Sequence, residues 1–146
     1  MALTIQLFPA LNGDCILIQY GEETGQEATI LVDGGCGKSC KRRLHQLAEE
    51  YKENKKQIDL LVVTHLDSDH ITGIYELLSW EQFEPTIIKK IWFNIKPEQQ
   101  SKVEEGLLLQ NQSTKISMEQ GIQLDTLIKG HRIPHDSKIL AGHKES

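Results

Sequence analysis

Four side chains able to bind a metal ion, His65, Asp67, Asp69 and His70, fall within the six residues HLDSDH. They follow the apolar run IDLLVV, Ile58 to Val63, which reads as a buried strand. The cluster therefore stands where a strand ends. Side chains alternate between faces along extended backbone, which puts His65, Asp67 and Asp69 on one side. A turn into a following helix brings His70 round to join them. Imidazole nitrogen with carboxylate oxygen suits zinc, iron or manganese, and does not suit the all-oxygen shell that calcium prefers. A calcium loop would also need a following glycine and a distal glutamate that this segment lacks. The plain alternative is a solvated polar loop with two chance histidines, and the density of ligands behind a buried strand argues against it.

The flanking elements are those that would position such a cluster. Leu3 to Phe8, CILIQY (Cys15 to Tyr20) and ATILV (Ala28 to Val32) read as three strands, and GEETG (Gly21 to Gly25) as the hairpin loop between the last two. CILIQY and ATILV are nearly continuous apolar runs, the pattern of strands buried on both faces. A glycine-rich loop, Asp33 to Ser39, leads into a helix in which Leu44, Leu47, Ala48 and Tyr51 sit at i, i+3, i+4 and i+7. Ile71 to Ser79 reads as a second helix and Ile87 to Phe93 as a fifth strand. Ser117 to Ile128 reads as a later helix, with a capping-box pattern at Ser117 and Gln120 and Gly130 as the residue just past its end. Lys96 to Thr114 reads as helix plus loop. Alternating strands and helices predict an α/β architecture.

Composition narrows the classes. A chain of 146 residues with 38% hydrophobic and 25% charged residues is a globular protein of single-domain size. Its sixteen Lys and Arg against twenty-one Asp and Glu, net −5, argue against general binding to nucleic acid or anionic membrane, both of which rely on basic surface. The three cysteines, Cys15, Cys36 and Cys40, cannot all pair within the chain, no secretory leader is recognisable, and no run reaches the ~18 apolar residues of a membrane span. The expectation is a cytoplasmic protein with free thiols and no membrane partner.

HLDSDHITGI resembles the metal-binding motif of the metallo-β-lactamase-fold hydrolases, whose usual pattern is H-x-H-x-D-H. GDCILI (Gly13 to Ile18) and ILVDGG (Ile30 to Gly35) are similar to the two strand motifs that precede it in that family, in the same order. Aspartate at the second position of the motif resembles the branch containing the hydrolase-like domain of the competence DNA-uptake protein ComEC/Rec2. The resemblance covers roughly residues 3 to 75. It implies an αββα sandwich with one or two zinc ions, manganese or iron being the alternatives. His65 would serve the first metal site. Asp69 and His70 would serve the second, with Asp69 as the catalytic residue that orients the attacking water. Asp67 stands where the family usually has a second site-one histidine, which puts the metal's identity in question because a carboxylate is harder than an imidazole. Asp33 matches a position that supports the metal site from behind; a turn-forming or helix-capping aspartate is the equal alternative.

The resemblance also implies ligands from a second β-lobe, and 76 residues follow His70. The downstream candidates His131, His135, Asp136 and His143 lie in KGHRIPHDSKILAGH, none at the end of a clear apolar strand, and read as loop residues. No Gly-Asp pair occurs after Gly13-Asp14. The expectation is one domain over 1–146 that holds the N-terminal β-lobe with its helices, the C-terminal half being absent. Cys36 and Cys40 have neither the spacing of a redox pair nor a second pair to complete a metal site. Lys38, Lys41, Arg42 and Arg43 read as a solvated helix face, with an approach path for phosphate as the minor reading. The function implied is a metal-dependent hydrolase acting on a phosphodiester or another small-molecule ester. The alternative is a truncated, inactive lobe serving as an interaction or regulatory module. A missing C-terminal lobe or a homodimer would cover the inner sheet.

Overall fold

The computed structural model describes residues 1–22, 25–94 and 112–137, and for 112–118 it describes the backbone alone. Lys96 to 111, within the segment read as helix plus loop, and His143 lie outside the described residues. Among the described residues six strands, β1 (Ala2–Leu7), β2 (Ile16–Gly21), β3 (Glu27–Val32), β4 (Leu60–Val63), β5 (Ile91–Phe93) and β6 (His135–Asp136), form one sheet in sequence order. The first three pair antiparallel, with Ile5 opposite Ile18 and Ile18 opposite Ile30. From β3 onward the pairing is parallel. Parallel neighbours need a crossover, and α1 (Lys38–Glu53), α2 (Ser68–Leu78) and α3 (Gln112–Gly130) lie between successive parallel strands. The α/β expectation holds.

Leu17, Leu31, Leu61 and Ile91 share one register line and are buried to 1% exposure or less. Against them pack Leu44, Leu47 and Tyr51 of α1 and Ile71, Ile74, Leu77 and Leu78 of α2, all buried. The helical stripe read from spacing is therefore the buried stripe. Tyr51 also carries its hydroxyl into the sheet, accepting from Gln19 Nε2 at 3.0 Å and sharing a 3.1 Å hydrogen bond with Thr29 Oγ1. The core lies between the helices and one sheet face.

Several boundaries differ from the sequence reading. β2 and β3 are buried on one face, not both: Ile16, Ile18, Ile30 and Val32 are half-buried. Their apolar runs reflect a second face that carries no part of the core cluster among the described residues. Ile87 to Phe93 is not one strand. Pro85, which fixes φ and lacks an N–H, opens a short 3₁₀ turn to Ile87; Ile88 makes an isolated bridge to Ile58, and β5 starts at Ile91. The last helix begins at Gln112, so Ser117 is inside it, and it runs through Gly130. Its terminator is Arg132, with φ 57. Arg132 N–H donates to the Lys129 carbonyl at 3.0 Å and Ile133 N–H to the Ile128 carbonyl at 3.2 Å, while Ile128 and Ile133 are both buried. That double closure with its apolar contact outweighs the preference for glycine at the turn. The strand at His135–Asp136 was not legible, because two residues give no periodicity.

Leu47 is 2% exposed in the centre of the stripe. We expect Leu47→Ala to lower unfolding free energy by about 2–5 kcal/mol in chemical denaturation. A loss within a few tenths of a kcal/mol would show that this helix face collapses onto the gap.

Candidate metal centre

The HLDSDH segment leaves the carboxyl end of β4, beside the carboxyl end of β3, where open α/β sheets carry their ligands. Asp33, the residue after β3, is 2% exposed and sits at φ 57, a left-handed conformation that aspartate tolerates better than most residues. Its carboxylate accepts from Thr64 N–H at 2.8 Å, from the Thr64 hydroxyl, and from His70 Nδ1–H at 3.0 Å. The Asp33 backbone N–H donates to the Val62 carbonyl at 2.8 Å. One buried acid thus ties β3, β4 and α2 together.

The backbone after Asp33 is pressed against α2. Gly34 N–H donates to the His70 carbonyl at 2.8 Å, and Gly73 N–H donates to the Gly35 carbonyl at 3.0 Å. A Cβ added at Gly73 would stand 1.9 Å from the Gly34 carbonyl oxygen, and one at Gly34 would stand 2.4 Å from the Ile74 nitrogen. Gly13, at φ +75, approaches the Asp69 carbonyl as closely, 1.9 Å from an added Cβ. Glycine is needed at these approaches, since a side chain would lift the helix off the loop that holds Asp33.

The imidazole of His70 is therefore fixed in tautomer and direction. Nδ1 carries the proton toward Asp33, and Nε2 stands 3.9 Å from Asp69 Oδ1. The His65 ring meets it edge-on with centroids 5.0 Å apart. Burial pulls the His70 pKa down. The hydrogen bond and charge of Asp33, then the charges of Asp69 and Asp14, outweigh that and hold it above its ordinary 6.5. The sign follows directly. The His70–Asp33 ionic contact contributes stability in full below the unfolded value, and that contribution is lost as pH rises through the raised folded value. Asp14, in the turn before β2, was not read as part of this environment. The signal was its place at the sheet end shared with Asp33 and Thr64.

The structure brings His65, Asp69 and His70 into one neighbourhood. Asp67 is exposed at the cap position of α2 and makes no side-chain cap bond. Because α2 begins at Ser68, Asp69 lies in the first helical turn, so strand alternation does not extend to it. The donor types fit a metal ion, and a histidine whose Nδ1–H is held by a carboxylate presents Nε2 as ligands commonly do. Among the described residues, however, no three His, Cys, Asp or Glu side chains converge as a group able to hold an ion. The downstream candidates are engaged elsewhere. His131 Nε2 is 2.6 Å from the Leu78 carbonyl, His135 Nδ1 is 3.1 Å from the Ile133 carbonyl, and Asp136 pairs with Lys90 at 3.0 Å.

A family model described as the metallo-β-lactamase superfamily matches residues 9–140. The chain belongs to the metallo-β-lactamase superfamily. Membership supports a metal-dependent hydrolase at the level of the family. The superfamily match extends well past the residues 3 to 75 that carried the sequence resemblance. Among solved structures, a beta-lactamase domain protein from Burkholderia ambifaria is similar at 16% identity and TM-score 0.37, over 73% of this chain and 30% of that one. This chain therefore spans less than a third of that protein's length. A search of curated proteins finds no match.

The other sequence candidates are structural. Cys40 Sγ donates to the Gly34 carbonyl at 3.1 Å, and Cys36 Sγ to the Asn12 carbonyl at 3.3 Å; all three cysteines are free. The neighbouring Cys40 sulfur and burial push the Cys15 pKa up and keep it a thiol. Arg43 lies over the Phe8 ring at 4.7 Å, and Lys41 is 3.8 Å from Glu76, so the basic cluster is in part a partnered helix face. Two clefts of about 400 and 410 Å³ are lined by neither His65 nor His70, one lying beside Trp80 and Glu49, the other around Leu11 and Gly37. No described helix is long and apolar enough to cross a membrane.

Two outcomes test this construction. In Asp33→Asn the backbone is tolerated but the charged acceptor is gone, so the metal-free His70 midpoint, followed by NMR of the imidazole, should fall below the wild-type value. An unchanged midpoint would show that Asp33 does not set it. Gly73→Ala should cost about 3 kcal/mol or more in denaturation, because backbone rather than a flexible side chain must yield.

Proposed function

We propose that this chain carries the metal-binding segment of a metallo-β-lactamase-type hydrolase, with phosphodiesters as its substrate class. The observation that carries the metal reading is His70, its Nδ1–H committed to buried Asp33 and its Nε2 beside Asp69 and His65. His65, Asp69 and His70 would hold the ion, and Asp67 would join them from its exposed position. Zinc fits this mixed imidazole and carboxylate set, with manganese and iron as alternatives. When bound, the ion lowers the pKa of a water toward neutrality and polarises the electrophile. Asp69 Oδ1 then has the place to orient the attacking water and accept its proton. Asp33 keeps His70 from turning. Phosphodiesters are favoured by the resemblance of Asp67 to the ComEC/Rec2-like branch, and β-lactams or other esters are the competing substrates.

A second reading is supported by a specific observation, the lack of a converged three-donor group among the described residues. In that reading the chain is a catalytically silent lobe acting as an interaction or regulatory module. Two-metal hydrolases hold ions about 3.5–4 Å apart with ligands from several loops. Here His131, His135 and Asp136 are committed to other contacts.

Elemental analysis after equilibrium dialysis separates the readings. Under the first, wild type retains zinc at no more than one ion per chain, and His65→Ala and His70→Ala lose most of it with far-UV circular dichroism unchanged. Both variants keeping the wild-type stoichiometry would remove the ligand assignment. We expect turnover of an activated phosphodiester far below the ordinary enzyme rate of about 1 s⁻¹. Turnover at that rate, abolished in Asp69→Asn, would show that further ligands complete the site.

A further inference from the structure

Cys15 and Cys40 are both free and almost fully buried, at 2% and 0% exposure, and the metal reading uses neither. They come from separate segments: Cys15 stands just before β2, and Cys40 lies in the first turn of α1. Both segments close on Gly35. A Cβ added there would stand 3.2 Å from Cys40 Sγ and 3.6 Å from the Asp14 carbonyl oxygen, one peptide bond from Cys15. The two sulfurs act on each other strongly. Cys40 raises the Cys15 pKa, with burial adding to the rise, and Cys15 lowers that of Cys40 against its own burial. The pair therefore has one thiolate-forming member, in a helix first turn, and one member that stays a thiol. Cys36, the other cysteine beside α1, turns its Sγ to the Asn12 carbonyl at 3.3 Å.

Cys40 also holds the backbone next to the candidate metal centre. Its thiol donates to the Gly34 carbonyl at 3.1 Å, and Gly34 N–H donates to the His70 carbonyl at 2.8 Å. One residue thus links the thiol to α2. The cleft of about 410 Å³ around Leu11 and Gly37 has Ala10 in its wall, and Ala10 Cβ is 2.8 Å from the same added Cβ at Gly35. The cleft wall and the Cys40 sulfur meet there, which gives a small oxidant a short way in.

We propose that Cys15 and Cys40 form a redox switch, closing to a disulfide under a hydroperoxide and releasing the Gly34 carbonyl beside His70. The Cys40 thiolate attacks one peroxide oxygen, the O–O bond breaks, and Cys40 becomes a sulfenic acid while hydroxide leaves. The Cys15 sulfur then attacks the sulfenic sulfur, the S–O bond breaks, and the Cys15 proton departs with that oxygen as water. Two thiols lose two electrons, and hydrogen peroxide becomes two waters once the hydroxide takes up the proton Cys40 had given to solvent. Cys40 then has no S–H to donate. A buried carbonyl left without its donor is costly, so the Gly34 backbone moves to find another and the His70 carbonyl moves with it.

The test treats the metal-free full chain with hydrogen peroxide, alkylates it with a maleimide and weighs it intact, so it does not depend on the metal reading. Alkylatable thiols should fall from three to one and return to three with a thiol reductant. Digestion after Glu27 and Lys38 separates the three cysteines, and mapping the oxidised wild type should find Cys15 joined to Cys40. This assignment needs no variant to fold. Cys36→Ser should close as the wild type does, and Cys15→Ser should stop at the oxidised acids of Cys40 without an internal disulfide. The amide resonances of Gly34 and His70 should shift on closure by more than those of Lys56 and Gln57, past the other end of α1. Three thiols persisting, or a bond that includes Cys36, overturns the proposal. Closure that leaves Gly34 and His70 unshifted also overturns it, by making the bond a cross-link and not a switch.

Discussion

The carboxylate of Asp33 is almost fully buried, and the groups that reach it come from different elements. Thr64 donates twice from the end of β4, and His70 donates from the first turns of α2. Removing a carboxylate from water is costly unless its lone pairs are filled, so these donors are what allow the acid to stay where it is. The same bonds fix the relation of β3, β4 and α2. His70 is then presented with one tautomer and one direction, and Asp69 and His65 are placed around it by the loop and the helix start.

That arrangement depends on how closely backbone can approach backbone. Gly34 and Gly73 bring the loop after β3 against α2 with paired hydrogen bonds, and Gly13 lets its turn come as close to the Asp69 carbonyl. The apolar interior behind them, from Leu31 and Leu61 to Ile71 and Ile74, is close-packed and leaves the polar groups no freedom to drift. Stability and site geometry are thus one construction. The fold holds His70 rigidly because the core ends where the acid begins.

The opposite sheet face follows a different logic. Strands β2 and β3 carry apolar residues on both sides, but the helices cover one side. Leu3, Ile5 and Leu7 stand in solvent in consequence. The superfamily match over residues 9–140 takes in the helices α1 and α2 and the HLDSDH segment. Among the described residues the candidate donors stand at the strand ends, and the strand faces away from the helices carry no part of the core.

The sequence by itself determined what depends on local pattern. HLDSDH behind an apolar strand marked the candidate metal segment, the i, i+3, i+4, i+7 spacing from Leu44 to Tyr51 marked the buried helix face, and alternation of strands with helices marked the architecture. Tertiary structure decided what depends on elements distant in the chain. Asp33 read equally well as a turn former until His70, 37 positions away, was seen on its carboxylate. Asp14 joined the site environment because the sheet brings its turn to the same end. The one-sided burial of β2 and β3 was hidden because an apolar run has the same composition whether one face or both are covered. The end of α3 was hidden too, since the hydrogen bonds from Arg132 and Ile133 back to Lys129 and Ile128, and not the glycine, close it. Periodicity records which way a side chain faces; what it meets there is set by packing across the chain.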